Sequence, residues 1–92
     1  MPSKTKALFR QILRAKGYRL RFVYLQDFAD INDDLIRINL HRNTPPARSM
    51  IHEFLHFLHP KMSHREVNKW EKEIWNSLSQ NDKLKLYRKL FR

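Results

Sequence analysis

Prolines bracket one stretch of this chain so closely that its secondary structure is nearly forced. Asn43-Thr44-Pro45-Pro46 opens the stretch and Pro60 closes it. Proline is accepted in the first turn of a helix, but its ring excludes helical continuation in the residues before it. Between these marks Met50, Ile51, Phe54, Leu55, Phe57 and Leu58 recur at helical spacing, which predicts a helix with Thr44 as its candidate cap. Inside that helix, His52-Glu53-Phe54-Leu55-His56 reads H-E-x-x-H. Histidines four positions apart stand one turn above each other, about 6 Å along the axis, so both rings reach toward one point.

Two imidazoles and a neighbouring carboxylate are a recognisable chemical kit. Zinc held by imidazoles lowers the pKa of its water to about 7, and a carboxylate beside it can take the proton and deliver it to a leaving amine. The residue types therefore point to hydrolysis of peptide bonds, with His52 and His56 as ligands of Zn2+ and Glu53 as general base.

The chain has 92 residues, of which 41% are hydrophobic, enough for one small core and a single domain over 1–92. Cysteine is absent, which excludes thiolate metal sites and a disulfide framework and fits a reducing compartment. No apolar run approaches a membrane span, and Met1-Pro2-Ser3-Lys4 lacks an apolar signal segment. These features lead us to expect a soluble, cytoplasmic protein without a membrane partner. The formal charge is +10. Residues 1–26 hold seven basic side chains and no acid, and Lys83, Lys85, Arg88, Lys89 and Arg92 make the other end basic too. A basic balance attracts polyanions. No aromatic-interleaved basic groove or recognition motif accompanies it in the sequence, so solvated helix faces are the expected reading over nucleic-acid binding.

The remaining elements follow from periodicity. Leu8, Phe9, Ile12, Leu13 and Ala15 predict a first helix over about 4–16, capped by Ser3 or Thr5 and ended at Gly17, the single glycine. Tyr18 to Leu25 alternates, with Leu20, Phe22 and Tyr24 on one face, and reads as a strand. The turn cluster Asn32-Asp33-Asp34 separates a short strand at 28–31 from a longer one at 35–40, giving an expected hairpin and a three-stranded sheet. Beyond Pro60, Ser63 and Glu66 form a capping-box pair that starts a helix carrying Val67, Trp70, Ile74 and Leu78. A last helix from about Asp82 presents Leu84, Tyr87, Leu90 and Phe91. The expected class is α+β, with the H-E-x-x-H helix packed back to back on the helix that follows.

A hydrolytic zinc takes three protein ligands and leaves one position open. His59 lies about 10 Å along the axis from His52, too far for all three rings to converge, and sits where a helix's carbonyl end favours a cation. Glu66 is committed to the capping box. His64 and Glu71 remain, seven residues apart on one face of the later helix. Glu71 lies near the middle of an apolar stripe, where a carboxylate needs a partner. The crossing angle of the two helices decides which of the two reaches the ion.

The segment from Met50 to Val67, MIHEFLHFLHPKMSHREV, on a chain of this size resembles the minigluzincins. These are small soluble metallopeptidases similar to the catalytic cores of membrane-integral peptidases. The resemblance implies His52 and His56 as ligands, Glu53 as base, and a histidine as third ligand, which falls on His64. Glu71 is then the alternative ligand or a carboxylate that orients a ligand imidazole. A small sheet before the metal-binding helix is also implied. The metzincin spacing, which would place a ligand where this chain has Met62, does not fit, nor does a thermolysin-like glutamate some twenty positions on. The resemblance further implies latency, with residues 81–92 covering the cleft or docking onto a second copy as a homodimer. A peptide or protein substrate would lie along Leu35 to Leu40, with His41, Arg42, Tyr18 or Tyr24 as candidates to stabilise the oxyanion. Two other readings stand beside the peptidase: a non-enzymatic, zinc-stabilised domain, and a basic nucleic-acid-binding protein in which the motif is accidental.

Overall fold

The structure, a computed structural model, describes residues 1–23, 35–40 and 44–91. Along these residues the order is α1 (Ser3–Arg14), β1 (Arg19–Val23), β2 (Leu35–Asn39), α2 (Pro46–Leu58), α3 (His64–Ser77) and α4 (Gln80–Leu90). No helix among them is long and apolar enough to cross a membrane.

Helix α2 is the spine. Its apolar positions Ala47, Met50, Ile51, Phe54 and Leu55 are fully buried, because α1, α3, α4 and β2 all pack around it. The other elements bring matching faces: Leu8, Phe9 and Ile12 from α1, Ile36 and Ile38 from β2, Val67 and Ile74 from α3, Leu86 and Leu90 from α4. Trp70, expected in the α3 stripe, is only half-buried, with the ammonium groups of Lys4 and Lys69 4.9 and 5.2 Å from its ring centre.

The helix ends are set as expected in some places and differently in others. Ser63 accepts a hydrogen bond from the Glu66 N–H at 3.1 Å, and Glu66 accepts one from the Ser63 N–H at 3.1 Å, so the capping box is complete. Gly17 takes a left-handed φ of 77° and turns the chain from α1 into β1. The expected caps of α1 and α2 are not made. Pro2 and Pro45 occupy the cap positions, and neither helix has a side-chain cap. Ser3 already lies inside α1, Thr5 is buried within it, and the proline pair at 45–46 enters α2 with its backbone preset. Helix α4 starts at Gln80, earlier than expected, because Ser79 and Asp82 form a second capping box with bonds of 3.0 and 3.1 Å.

Among the described residues the sheet has two strands, not three. The strand expected at 28–31 and the turn at 32–34 lie outside the described residues. β1 and β2 run parallel, with Arg19 opposite Leu35 and Val23 opposite Asn39. The pairing sets Leu20 beside Ile36 and Phe22 beside Ile38, which aligns the apolar positions on one face and the arginines on the other. Ile36 and Ile38 are buried, and Leu20 packs at the margin of the core.

Residues 81–91, within the segment expected as a possible cover, set two side chains into the core. Leu86, which the sequence reading passed over, is fully buried and Leu90 nearly so, whereas Leu84 is 50% exposed. Lys89 donates to the carbonyls of Leu13 at 3.2 Å and Ala15 at 3.0 Å, holding α4 against the end of α1. Leu86→Ala is expected to cost about 2–5 kcal/mol in denaturant unfolding, and Leu84→Ala less than about 0.5 kcal/mol. The opposite sign is expected at Ser49, whose buried hydroxyl has no hydrogen-bond partner. Ser49→Ala removes a desolvated donor and improves helix propensity, so it should raise stability by about 1 kcal/mol in the same assay.

Candidate metal centre

The prolines that bound α2 place His52 and His56 mid-helix, one turn apart on the side facing the start of α3. The Ser63 cap begins α3 at His64, so the third imidazole is delivered by the first residue of that helix. The three rings form a nearly equilateral triangle, with centres 4.9 Å apart for His52 and His56, 5.1 Å for His52 and His64, and 5.3 Å for His56 and His64. One ring nitrogen from each lies within 4.8 Å of the others. Tetrahedral zinc with nitrogen ligands at about 2.0–2.1 Å requires them about 3.3 Å apart, which small rotations of the side chains supply.

Behind this triangle stands Glu71. Its Oε1 lies 2.6 Å from His52 Nδ1, and its Oε2 accepts from Arg48 Nε at 2.8 Å. With Nδ1 donating to the carboxylate, His52 is held in the tautomer whose Nε2 lone pair is available to an ion. In space His64 joins the two motif histidines, while Glu71 meets His52 from the other side and Arg48 beyond it. Arg48 was not singled out from the sequence. Its signal was present, since it precedes His52 by four residues on the same helix face, where one acid on α3 can meet both.

Burial grades the three histidines. His52 is buried, His56 half-buried and His64 exposed, so the cluster opens toward solvent on the α3 side. The pKa of His56 is lowered, first by desolvation and then by the charges that His52 and His64 would carry beside it. This favours the neutral imidazole, the form that binds metal. At the rim of α3, the Glu66 carboxyl is held below its ordinary pKa by the Ser63 N–H and hydroxyl.

The other candidates fall elsewhere. Glu53 is partly buried on α2, adjacent to His52 in the chain. His59 caps the end of α2, and its Nε2 meets Gln11 Oε1 at 2.7 Å, which ties α2 to α1 and keeps this ring out of the triangle. Tyr18 packs edge-on against Phe54 at 4.8 Å and Phe57 at 6.2 Å, with the Lys89 ammonium 5.1 Å from its ring. Phe54 is two residues from each motif histidine, or about 200° of helical rotation, so Tyr18 lies on the far side of α2 from them. Tyr24, His41 and Arg42 lie outside the described residues.

Comparisons of the chain with protein-family models, curated proteins and solved structures returned no match. The chemistry is therefore read from the geometry of the site.

Two measurements probe that geometry. Zinc affinity by competition with a chromophoric chelator is expected to fall about 10–100-fold in Glu71→Ala, which frees the His52 ring, and further in His64→Ala, which deletes a donor. The second concerns pH. The folded state binds a proton at His56 less readily than the unfolded chain does, so its contribution to stability is complete above the ordinary histidine range, near pH 6.5, and declines as pH falls through the lowered folded-state value. The urea midpoint of metal-free protein should therefore drop as pH falls below the ordinary histidine value of 6.5, and His56→Gln should flatten that drop.

Proposed function

We propose that this chain is a zinc-dependent peptidase in which His52, His56 and His64 hold the metal and Glu53 is the general base. One observation carries the reading: a histidine from the first turn of α3 meets both histidines of H-E-x-x-H within 4.8 Å, while a carboxylate braces His52 from behind. A chance occurrence of the motif does not require a third imidazole to arrive at that point, nor a brace that selects the metal-binding tautomer.

The division of labour follows from the side chains. Bound zinc supplies a water that is acidic near neutral pH and a Lewis acid for the scissile carbonyl. Glu53 accepts the proton of the attacking water and transfers it to the departing amine nitrogen. Glu71 keeps His52 pointed, and Arg48 anchors the Glu71 carboxylate from its other oxygen. β2 is paired by β1 on one side among the described residues, and an extended peptide would add to its other side through backbone hydrogen bonds. Leu86 and Leu90 commit α4 to the core, so latency by release of residues 81–92 would disturb the packing of α1 and α2. The reading adopted here needs no such release.

Glu53→Ala separates this function from a zinc site that only staples α2 to α3. Elemental analysis should find one zinc per chain in wild type and in the variant. Cleavage of unstructured protein substrates, followed by mass spectrometry, should fall by at least about 100-fold in the variant. Equal cleavage by both proteins would remove Glu53 from the mechanism. Zinc uptake with no cleavage by either would leave the structural staple.

A further inference from the structure

We propose that the face formed by β1 and the outer side of α4 binds single-stranded nucleic acid. The four large hydrophobic side chains most exposed among the described residues are Met1, Phe22, Leu84 and Phe91, at 48, 37, 50 and 62%. Phe22 lies in β1, Leu84 in α4, and Phe91 is the residue that caps the end of α4; Phe22 and Phe91 touch. Phe22 and Phe91 stack with centres 5.6 Å apart and planes within 8°, and Tyr87 continues the series against Phe91 at 6.1 Å and 2°. Nearly seventy residues separate Phe22 from Phe91 in the chain, so no stretch of sequence displays this stack. It is assembled when the Lys89 ammonium clamps α4 onto the carbonyls of Leu13 and Ala15.

Charge surrounds the rings with one sign. The described acids, Glu53, Glu66, Glu71, Glu73 and Asp82, sit on α2, α3 or the first turn of α4, and Asp82 is bound to its cap there. Asp27, Asp30, Asp33 and Asp34 lie outside the described residues. Within α1, β1 and α4 beyond its first turn, every charged side chain is basic. Arg88 lies between Tyr87 and Phe91, and Lys85 is one turn below Arg88; both are exposed. Exposed parallel rings with flanking cations are what a single strand requires: bases continue the stack, and phosphates meet the basic side chains.

The alternatives fit less well. A second copy would bring two positive faces together. Insertion into a bilayer calls for a continuous apolar helix face, whereas the apolar positions Leu86 and Leu90 of α4 are spent in the core. A duplex keeps its bases stacked on each other and offers the rings no open face. Ring stacking and phosphate contacts do not involve the 2′-hydroxyl, so ribose and deoxyribose strands should bind alike.

The test is fluorescence anisotropy with labelled oligothymidylate and oligouridylate of about 12 nucleotides, read at about 50 and 200 mM salt. Wild type should bind both strands with similar affinity and the duplex more weakly. Phe22→Ala with Phe91→Ala should weaken strand binding about tenfold or more with an unchanged salt slope, while Phe91→Trp retains it. Arg88→Ala should lower the salt slope by about one. Zinc uptake of each variant should match wild type, and so should the unfolding midpoint of Arg88→Ala, since Arg88 is exposed. Wild-type affinity in the double variant would reduce the effect to general attraction of a basic protein for polyanions, and overturn the proposal. So would a duplex bound as tightly as the strands, or ring-dependent binding to phosphatidylserine vesicles or ring-dependent dimerisation in sedimentation without strand binding. Should the double variant unfold, Arg88→Glu decides alone: strand affinity equal to wild type at low salt rejects the face.

Discussion

The carboxylate of Glu71 is the point on which the arrangement of α2 and α3 turns. It lies on the core side of α3, near Val67 and Ile74, where an unpaired negative charge would be costly. Its two oxygens are instead shared between Arg48 and His52, both on α2 and one turn apart. A bridge of this kind fixes the rotation and the register of one helix on the other, because a slip of one residue would move either α2 partner by about 100°. With the register fixed, the start of α3 has only one place to go. The short connection through Pro60-Lys61-Met62 and the Ser63 cap bring His64 over the motif histidines, so the site is a consequence of how the two helices are locked together.

The lock between α2 and α3 and the clustering of the three histidines bear on stability together. A cluster of three imidazoles costs free energy on protonation: burial first, and then the charges that His52 and His64 would carry, disfavour the charged form of His56. A domain of this length has little stability to spare. Glu71 offsets part of that cost by drawing on the His52 N–H, and a bound cation would remove the rest. The same geometry that selects a ligating tautomer thus also makes the fold depend on pH in the range where histidine titrates.

Much of α2 and α3 was legible in the sequence because local chemistry decides them. Proline positions bounded α2, the pair Ser63 and Glu66 started α3, and the requirement that Glu71 find a partner followed from its place in an apolar stripe. The identity of that partner was not legible. Arg48 reads as one more surface cation in a chain rich in them, and only the crossing of α2 and α3 puts it beside Glu71. The third ligand was left open by the residues themselves for the same reason, as a few tens of degrees between helices separate His64 from Glu71. The sheet was harder still. Alternation identified β1 and β2 but says nothing about which strands pair or in which direction. Leu86 escaped notice because α4 has apolar residues on more than one side, and only its packing against α1 and α2 shows which side is buried.

Helix α2 also separates the two surfaces of the molecule. His52 and His56 occupy one side, while Phe54, about 200° around the axis, receives Tyr18 and lies 5.7 Å from the Lys89 ammonium. The clamp that positions the exposed aromatic stack therefore grips the core on the side of α2 opposite the histidines. Substitutions in the stack reach the metal centre only through a fully packed interior, and substitutions at Glu71 or His64 reach the stack the same way. A polynucleotide on β1 and α4 would leave the histidine cluster open to solvent on the α3 side, so the two occupants do not compete for space. If both readings hold, a peptidase of this design would act while bound to a strand, and its choice of substrate would depend on which proteins the strand brings near α2 as well as on the cleft.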